Sequence, residues 1–197
     1  MSKVNTGLGN IYYSIATITG FGSEEVISYG EVKPLAPLIE VSVSPSENSN
    51  TMYAGDVPFV TQDALGEIDM TFSVPLISDA AMCDLFGYKK ATEGGIIRDA
   101  KAVRPYVALM FEQNCADGVV DYVTLYKGKL SLPELKGKTK EGQVEFQTKS
   151  FNGKFVTPKN GIWMYAVSSD DVDFSRETWA TKWGKTVVVP TEKVSEV

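Results

Sequence analysis

The chain has 197 residues, of which 43% are hydrophobic, and a formal net charge of −6. This length and apolar content predict one domain with a hydrophobic core, and no apolar run approaches the roughly 20 residues that span a bilayer, so no membrane anchor is expected. The negative charge argues against a general basic nucleic-acid binder.

Most of the chain is predicted to form β-strands. Residues 67–74 alternate between polar and apolar side chains, and residues 38–44 show a similar alternation. A side-chain period of two indicates a strand with one buried and one solvent-facing side. Residues 106–111 are almost wholly apolar, which favours a central strand. The predicted strands are, in chain order, 11–19, 38–44, 67–74, 106–111, 119–132, 142–149 and 162–167.

One short helix is predicted after Ser78, which is a good N-cap residue. Met82, Leu85 and Phe86 follow at spacings of three and four, so they form one apolar stripe. Gly87 suits the left-handed residue that often follows a helix. The pattern predicts a helix that covers one end of the sheet core.

Three stretches are not explained by these elements: an N-terminal arm at 1–10, a long loop at 45–66 and a C-terminal arm at 168–197. A structureless loop of about 20 residues is uncommon inside a compact domain, and its scattered apolar residues argue against disorder. We expect another copy of the chain to cover these residues, although a loop packed on its own surface is an alternative. The self-assembly candidates are Met52, Tyr53, Val57, Phe59, Val60, Phe174, Trp179 and Trp183.

The residue types predict no catalytic site. The chain contains no histidine, which removes the most common general base and metal ligand. Cys83 and Cys115 are too few for a zinc site or a disulfide framework, and reduced thiols are expected. We therefore predict a protein that is not an enzyme and has no cofactor or metal.

The charge is unevenly distributed. Residues 1–100 carry 13 acids and 5 bases, and residues 101–197 carry 12 acids and 14 bases. This difference is compatible with an ordinary solvated surface or with two oppositely charged faces that favour head-to-tail contact between copies.

A series of short motifs runs through nearly the whole chain. They are Asn10-Ile11-Tyr12-Tyr13, Val41-Ser42-Val43-Ser44-Pro45-Ser46-Glu47, Ser49-Asn50-Thr51-Met52-Tyr53-Ala54-Gly55-Asp56, Asp84-Leu85-Phe86-Gly87-Tyr88, Gly94-Gly95-Ile96, Arg104-Pro105-Tyr106-Val107-Ala108-Leu109, Asp117-Gly118 and Tyr126-Lys127-Gly128-Lys129-Leu130. Their order resembles the major tail protein (tail tube protein) family of long-tailed bacteriophages, of the type that infects Gram-positive bacteria.

This resemblance implies a mainly β fold. The family fold is a sandwich or barrel of antiparallel strands with one short flanking helix and extended loop and terminal arms. It also implies a virion protein, synthesised in the host bacterial cytoplasm, that forms stacked hexameric rings around a tape-measure protein. The implied partners are other copies of the chain, the tape-measure protein, the tail terminator and distal tail proteins, and double-stranded DNA that passes through without sequence-specific binding.

Four acids on the polar sides of predicted strands are candidates for the lumen of such a tube: Glu40, Glu67, Asp69 and Glu145. An exterior position is an equally good interpretation of them. Two alternative functions remain open: a monomeric β-sandwich binding module, with Trp163, Trp179 and Trp183 as its site, and a secretion-system tube protein.

Overall fold

The computed structural model describes residues 4–20, 22–54, 56–135, 137 and 148–191. These residues form eleven strands and two α-helices. The strands are β1 (Asn5–Thr19), β2 (Val26–Tyr29), β3 (Lys33–Pro37), β4 (Glu40–Ala54), β5 (Val57–Val74), β6 (Lys89–Lys90), β7 (Ile96–Ile97), β8 (Tyr106–Cys115), β9 (Val120–Leu130), β10 (Lys149–Phe155) and β11 (Met164–Ser168). The helices are α1 (Asp79–Phe86) and α2 (Arg176–Lys182).

Nine of the strands belong to one antiparallel sheet. Its order is β2-β1-β8-β9-β10-β5-β4, with β3 paired to β1 and β11 paired to β9. The short strands β6 and β7 form a separate pair. The predicted mainly β, antiparallel class is therefore confirmed.

The core lies between one face of this sheet and α1. Ile68, Met70, Phe72 and Val74 of β5 are almost fully buried, as their alternation predicted. The Phe72 ring stacks on Phe151 of β10 at 5.3 Å between centroids. Each fully buried side chain of this size contributes roughly 1.5–3 kcal/mol, so these rows of apolar residues hold the sheet together.

The helix α1 has the predicted ends. The Ser78 hydroxyl oxygen accepts a hydrogen bond from the backbone N–H of Ala81 at 3.2 Å, and Gly87 has a φ of 68°. A Cβ at Gly87 would also lie 2.4 Å from the backbone oxygen of Val103, so both conformation and space require glycine there. Met82, Leu85 and Phe86 are buried.

The structure corrects the expectation of an N-terminal arm, a long central loop and a C-terminal arm. Residues 5–10 of the N-terminal arm belong to β1, in which Asn5, Gly7 and Leu8 pair with β8 and Asn10 pairs with β3. Residues 45–66 are not a loop, because β4 and β5 continue through them as a hairpin. The C-terminal stretch contains the end of β11 and α2, so a second helix exists where only one was predicted. Of the predicted strand 142–149, only the last two residues lie within the described residues.

Candidate assembly surface

The hairpin of β4 and β5 extends beyond the rest of the sheet. The pairing of β5 with β10 ends where Phe155 lies opposite Ile68. The pairing of β5 with β4 continues from there to Ala54 and Val57. Residues 46–66 therefore form a two-stranded ribbon, which we call the projecting hairpin.

Local features of the sequence make this ribbon possible. Pro45 lies at an irregularity in the register, a position that tolerates a residue without a backbone N–H. Ala54 pairs with Val57, so two residues reverse the chain. Asp56 in this turn has a φ of 61°, a conformation that Asp adopts more easily than most residues.

The tip of the projecting hairpin is apolar and uncovered. Met52, Tyr53, Val57, Phe59 and Val60 are each between 51% and 67% exposed. Single exposed apolar residues are normal, whereas five of them near one turn form a candidate interaction site. All five self-assembly candidates from the central segment therefore lie together at one tip.

All charged residues of β4 and β5, including those of the projecting hairpin, are acidic. The 35 residues of β4, its turn and β5 contain six acids and no Lys or Arg. The Glu67 carboxylate is neutralised by an ion pair with Lys154 of β10. Glu47, Asp56 and Asp63 lie in the projecting part, so a partner of this surface needs both apolar and cationic groups.

The three C-terminal candidates pack on their own chain instead. Their rings surround Tyr122 of β9, with centroid distances of 5.9 Å for Phe174, 5.6 Å for Trp179 and 4.7 Å for Trp183. All three are half-buried. We expected another copy of the chain to cover these three residues. The structure corrects this expectation, because they pack against aromatic rings of their own chain.

Glu112 of β8 anchors this aromatic cluster, and sequence reasoning missed it. The indole N–H of Trp183 donates to a Glu112 carboxylate oxygen at 2.7 Å, and the backbone N–H of Asn10 donates to the other oxygen at 3.4 Å. Burial and the Glu112 charge raise the pKa values of Tyr12 and Tyr122. No sequence signal links these groups, because Glu112 and Trp183 are 71 positions apart.

The C-terminal segment 169–191 covers the sheet face opposite the core. On that face Ser14, Ala108, Met110 and Thr124 are almost fully buried. The hydroxyl of Tyr126 donates to the backbone oxygen of Val188 at 2.6 Å, and Gly184 packs on the Tyr12 ring. This segment is therefore a second layer of the fold over β1, β8 and β9.

The proposed lumen acids lie on the part of this face that the C-terminal segment leaves open. Glu40, Glu67 and Asp69 are exposed, whereas Glu145 lies outside the described residues. Their neighbours are polar: Ser73 and Ser150 share a hydrogen bond of 2.9 Å, and Thr71 donates to Asn152 at 3.1 Å. This open face therefore carries polar and charged side chains, and Lys154 of β10 forms an ion pair there with Glu67.

The described residues contain no cluster of three or more His, Cys, Asp or Glu that could hold a metal ion. Within the same part of the chain, no helix has the length and apolar content needed to cross a bilayer. Cys83 and Cys115 do not form a disulfide, and Cys115 is buried at the end of β8, where its Sγ lies 3.2 Å from the amide oxygen of Asn5.

A comparison of the chain with models of known protein families gave no match. A comparison with curated protein sequences gave no significant match.

Proposed function

We propose that this chain is a non-enzymatic structural subunit that assembles with copies of itself, and that it serves as the tail tube protein of a long-tailed bacteriophage. The observation that carries the proposal is the projecting hairpin, whose apolar tip is left uncovered by its own chain. The order of motifs along the sequence supports the choice of family.

The energetics favour repeated contacts over a single one. The five apolar side chains at the tip are 51–67% exposed, so each gains roughly 1–2 kcal/mol when it becomes fully buried, which is part of the value for a fully exposed side chain. Association of two molecules costs an estimated 4–15 kcal/mol, so one hairpin contact alone gives a weak complex. In a ring or stack, each copy makes two such contacts, one through its own hairpin and one with the hairpin of a neighbour. Closed cyclic assemblies are the common outcome.

In the proposed assembly the copies form stacked hexameric rings around a tape-measure protein, between a distal tail protein and a terminator. The open polar face that bears Glu40, Glu67 and Asp69 lines the lumen. Its acids oppose the counterion-release binding that a basic channel exploits, and double-stranded DNA therefore slides through.

The test compares assembly by the wild-type chain with that of a Tyr53→Ser/Phe59→Ser double variant. We expect rings or tubes of the wild type in negative-stain electron microscopy, and a mass that rises with concentration in analytical ultracentrifugation. The variant is expected to stay monomeric because its tip offers less area to bury. A Ser49→Ala variant on the same hairpin serves as the matched control and assembles normally.

A wild-type chain that remains monomeric at all concentrations, and also with an added tail-tip complex as nucleus, would contradict the proposal. That result would favour a monomeric binding module. If tubes form, the neighbouring genes distinguish a phage tail from a secretion-system tube, because a tape-measure gene accompanies a tail.

A further inference from the structure

A groove lies at the end of the sheet that is remote from the projecting hairpin. Its volume is about 560 Å³, within the range of roughly 300–1,000 Å³ that is typical of binding pockets. Met82 of α1 and Phe151 of β10 contribute apolar wall, as do Leu132, Pro133 and Leu135, which follow β9. Leu132 and Leu135 are largely exposed, so the chain as described leaves apolar surface open here.

The groove also carries positively charged residues, which the projecting hairpin lacks. Arg98 and Lys149 are among its described lining residues, together with one acid, Glu134. The Arg98 guanidinium lies 5.9 Å from the centre of the Tyr88 ring, which holds it beside the groove. The projecting hairpin has three acids and no base, so the apolar groove and the apolar tip also match in charge.

The two surfaces lie at opposite ends of β5. The hairpin tip is at Val57, where β5 begins, while Lys149 of the groove lies opposite Val74, where β5 ends. Seventeen residues of strand at about 3.3 Å each separate these points by on the order of 55 Å. A chain therefore cannot place its own tip in its own groove without unfolding β5.

From this placement we infer that the hairpin tip of one copy seats in the groove between α1 and the start of β10 of the next copy. Such a contact joins different surfaces of the two copies, so it repeats head to tail and builds a stack or filament. This inference rests on the proposed function and adds to it the place where the hairpin binds.

The test uses photocrosslinking with the wild-type sequence elsewhere intact. A benzophenone amino acid replaces Phe59, and the protein is prepared with natural and with ¹⁵N-enriched isotopes, then mixed before assembly and irradiated. Peptides that join one light and one heavy chain identify contacts between copies. We expect those crosslinks at residues 132–135 and 148–152.

The control places the same photoreactive residue at Val172, which is 100% exposed and belongs to the C-terminal layer. This variant should not label the groove. Circular dichroism checks that both labelled proteins fold, since both positions are exposed.

Mixed-isotope crosslinks from position 59 to another region would overturn the groove assignment while leaving self-assembly intact. A complete lack of mixed-isotope crosslinks, together with a lack of assembly, would overturn both this inference and the proposed function.

A second test reverses the charges of the groove and of the projecting hairpin. Arg98→Glu/Lys149→Glu should weaken assembly about tenfold, and Asp56→Lys/Asp63→Lys in the same chain should restore much of it, because close opposite charges set the register of such contacts. Lys89→Glu changes an exposed lysine outside the groove and should leave assembly unchanged. Failure of the double exchange to restore assembly would count against the groove.

Discussion

At the residue scale, Asp84 links α1 to two strands. One carboxylate oxygen accepts hydrogen bonds from the Tyr13 hydroxyl of β1 at 2.9 Å and from the Lys33 ammonium of β3 at 2.8 Å. Burial alone would raise the pKa of Asp84, but the hydrogen bonds from Lys33 and Tyr13 outweigh it and hold the pKa below the ordinary 3.8. The ionised carboxylate therefore stabilises the folded state.

This network predicts how stability depends on pH. Because the pKa of Asp84 is lower in the folded state, its contribution is fully present above pH 3.8 and is lost as the pH falls through the folded-state pKa. Asp84→Asn should lower the free energy of unfolding by about 0.5–1 kcal/mol at pH 7, a modest value because the Lys33 side chain is half exposed. The difference from wild type should shrink below about pH 4. Urea unfolding across this pH range measures both effects.

Glu93→Gln, in the exposed turn between β6 and β7, serves as the control for this series. It removes a carboxylate for which the described structure gives no hydrogen bond or ion pair, and should leave stability within about 0.5 kcal/mol of wild type. The role of the Asp84 charge would be contradicted if the difference in unfolding free energy between wild type and Asp84→Asn stayed constant down to pH 2.

At the element scale, the C-terminal layer is the feature whose removal should cost the fold most. Trp179 stacks on Tyr122 and Phe174 and meets Trp183 at a tilted angle, at centroid distances of 5.6–5.7 Å. Aromatic pairs contribute about 0.5–1.5 kcal/mol beyond their buried area. Trp179→Ala should therefore lower the free energy of unfolding by about 2–3 kcal/mol, as measured by urea unfolding with far-ultraviolet circular dichroism at dilute, monomeric concentration.

The matched variant is Val172→Ala in the same segment. Val172 is fully exposed, and its truncation should change stability by less than about 0.5 kcal/mol. Equal effects of the two variants would mean that the aromatic stack is not what holds this layer to the sheet.

The elements that could be predicted from sequence are those with a buried side. The row Ile68, Met70 and Phe72 has a clear period of two because one side of β5 meets the core, and α1 has a clear stripe and both caps. The projecting hairpin has solvent on both sides, so its residues carry no such alternation and the segment resembled a loop. The C-terminal layer depends on contacts with Tyr122 and Glu112, which lie about 60–70 positions away and leave no local pattern.

At the scale of the whole molecule, the fold separates a rigid body from an exposed extension. Residues 68–73 of β5 pair with both β4 and β10, whereas residues 47–65 pair only within the hairpin. An isolated two-stranded ribbon is marginally stable in water. We therefore expect the projecting hairpin to open more easily than the rest of the sheet.

This difference predicts a specific change in hydrogen exchange on assembly. In a dilute monomer, the amides of residues 47–65 should exchange much faster than those of residues 68–74, because ribbon opening costs far less than global unfolding. In assembled rings or tubes the amides of residues 47–65 should slow markedly, while those of β8, a central strand, should stay protected in both states. Mass spectrometry of peptides from the two states measures both segments in one experiment. If residues 47–65 were already as protected as residues 68–74 in the dilute monomer, the hairpin would be stable without a partner and its tip would not require another copy.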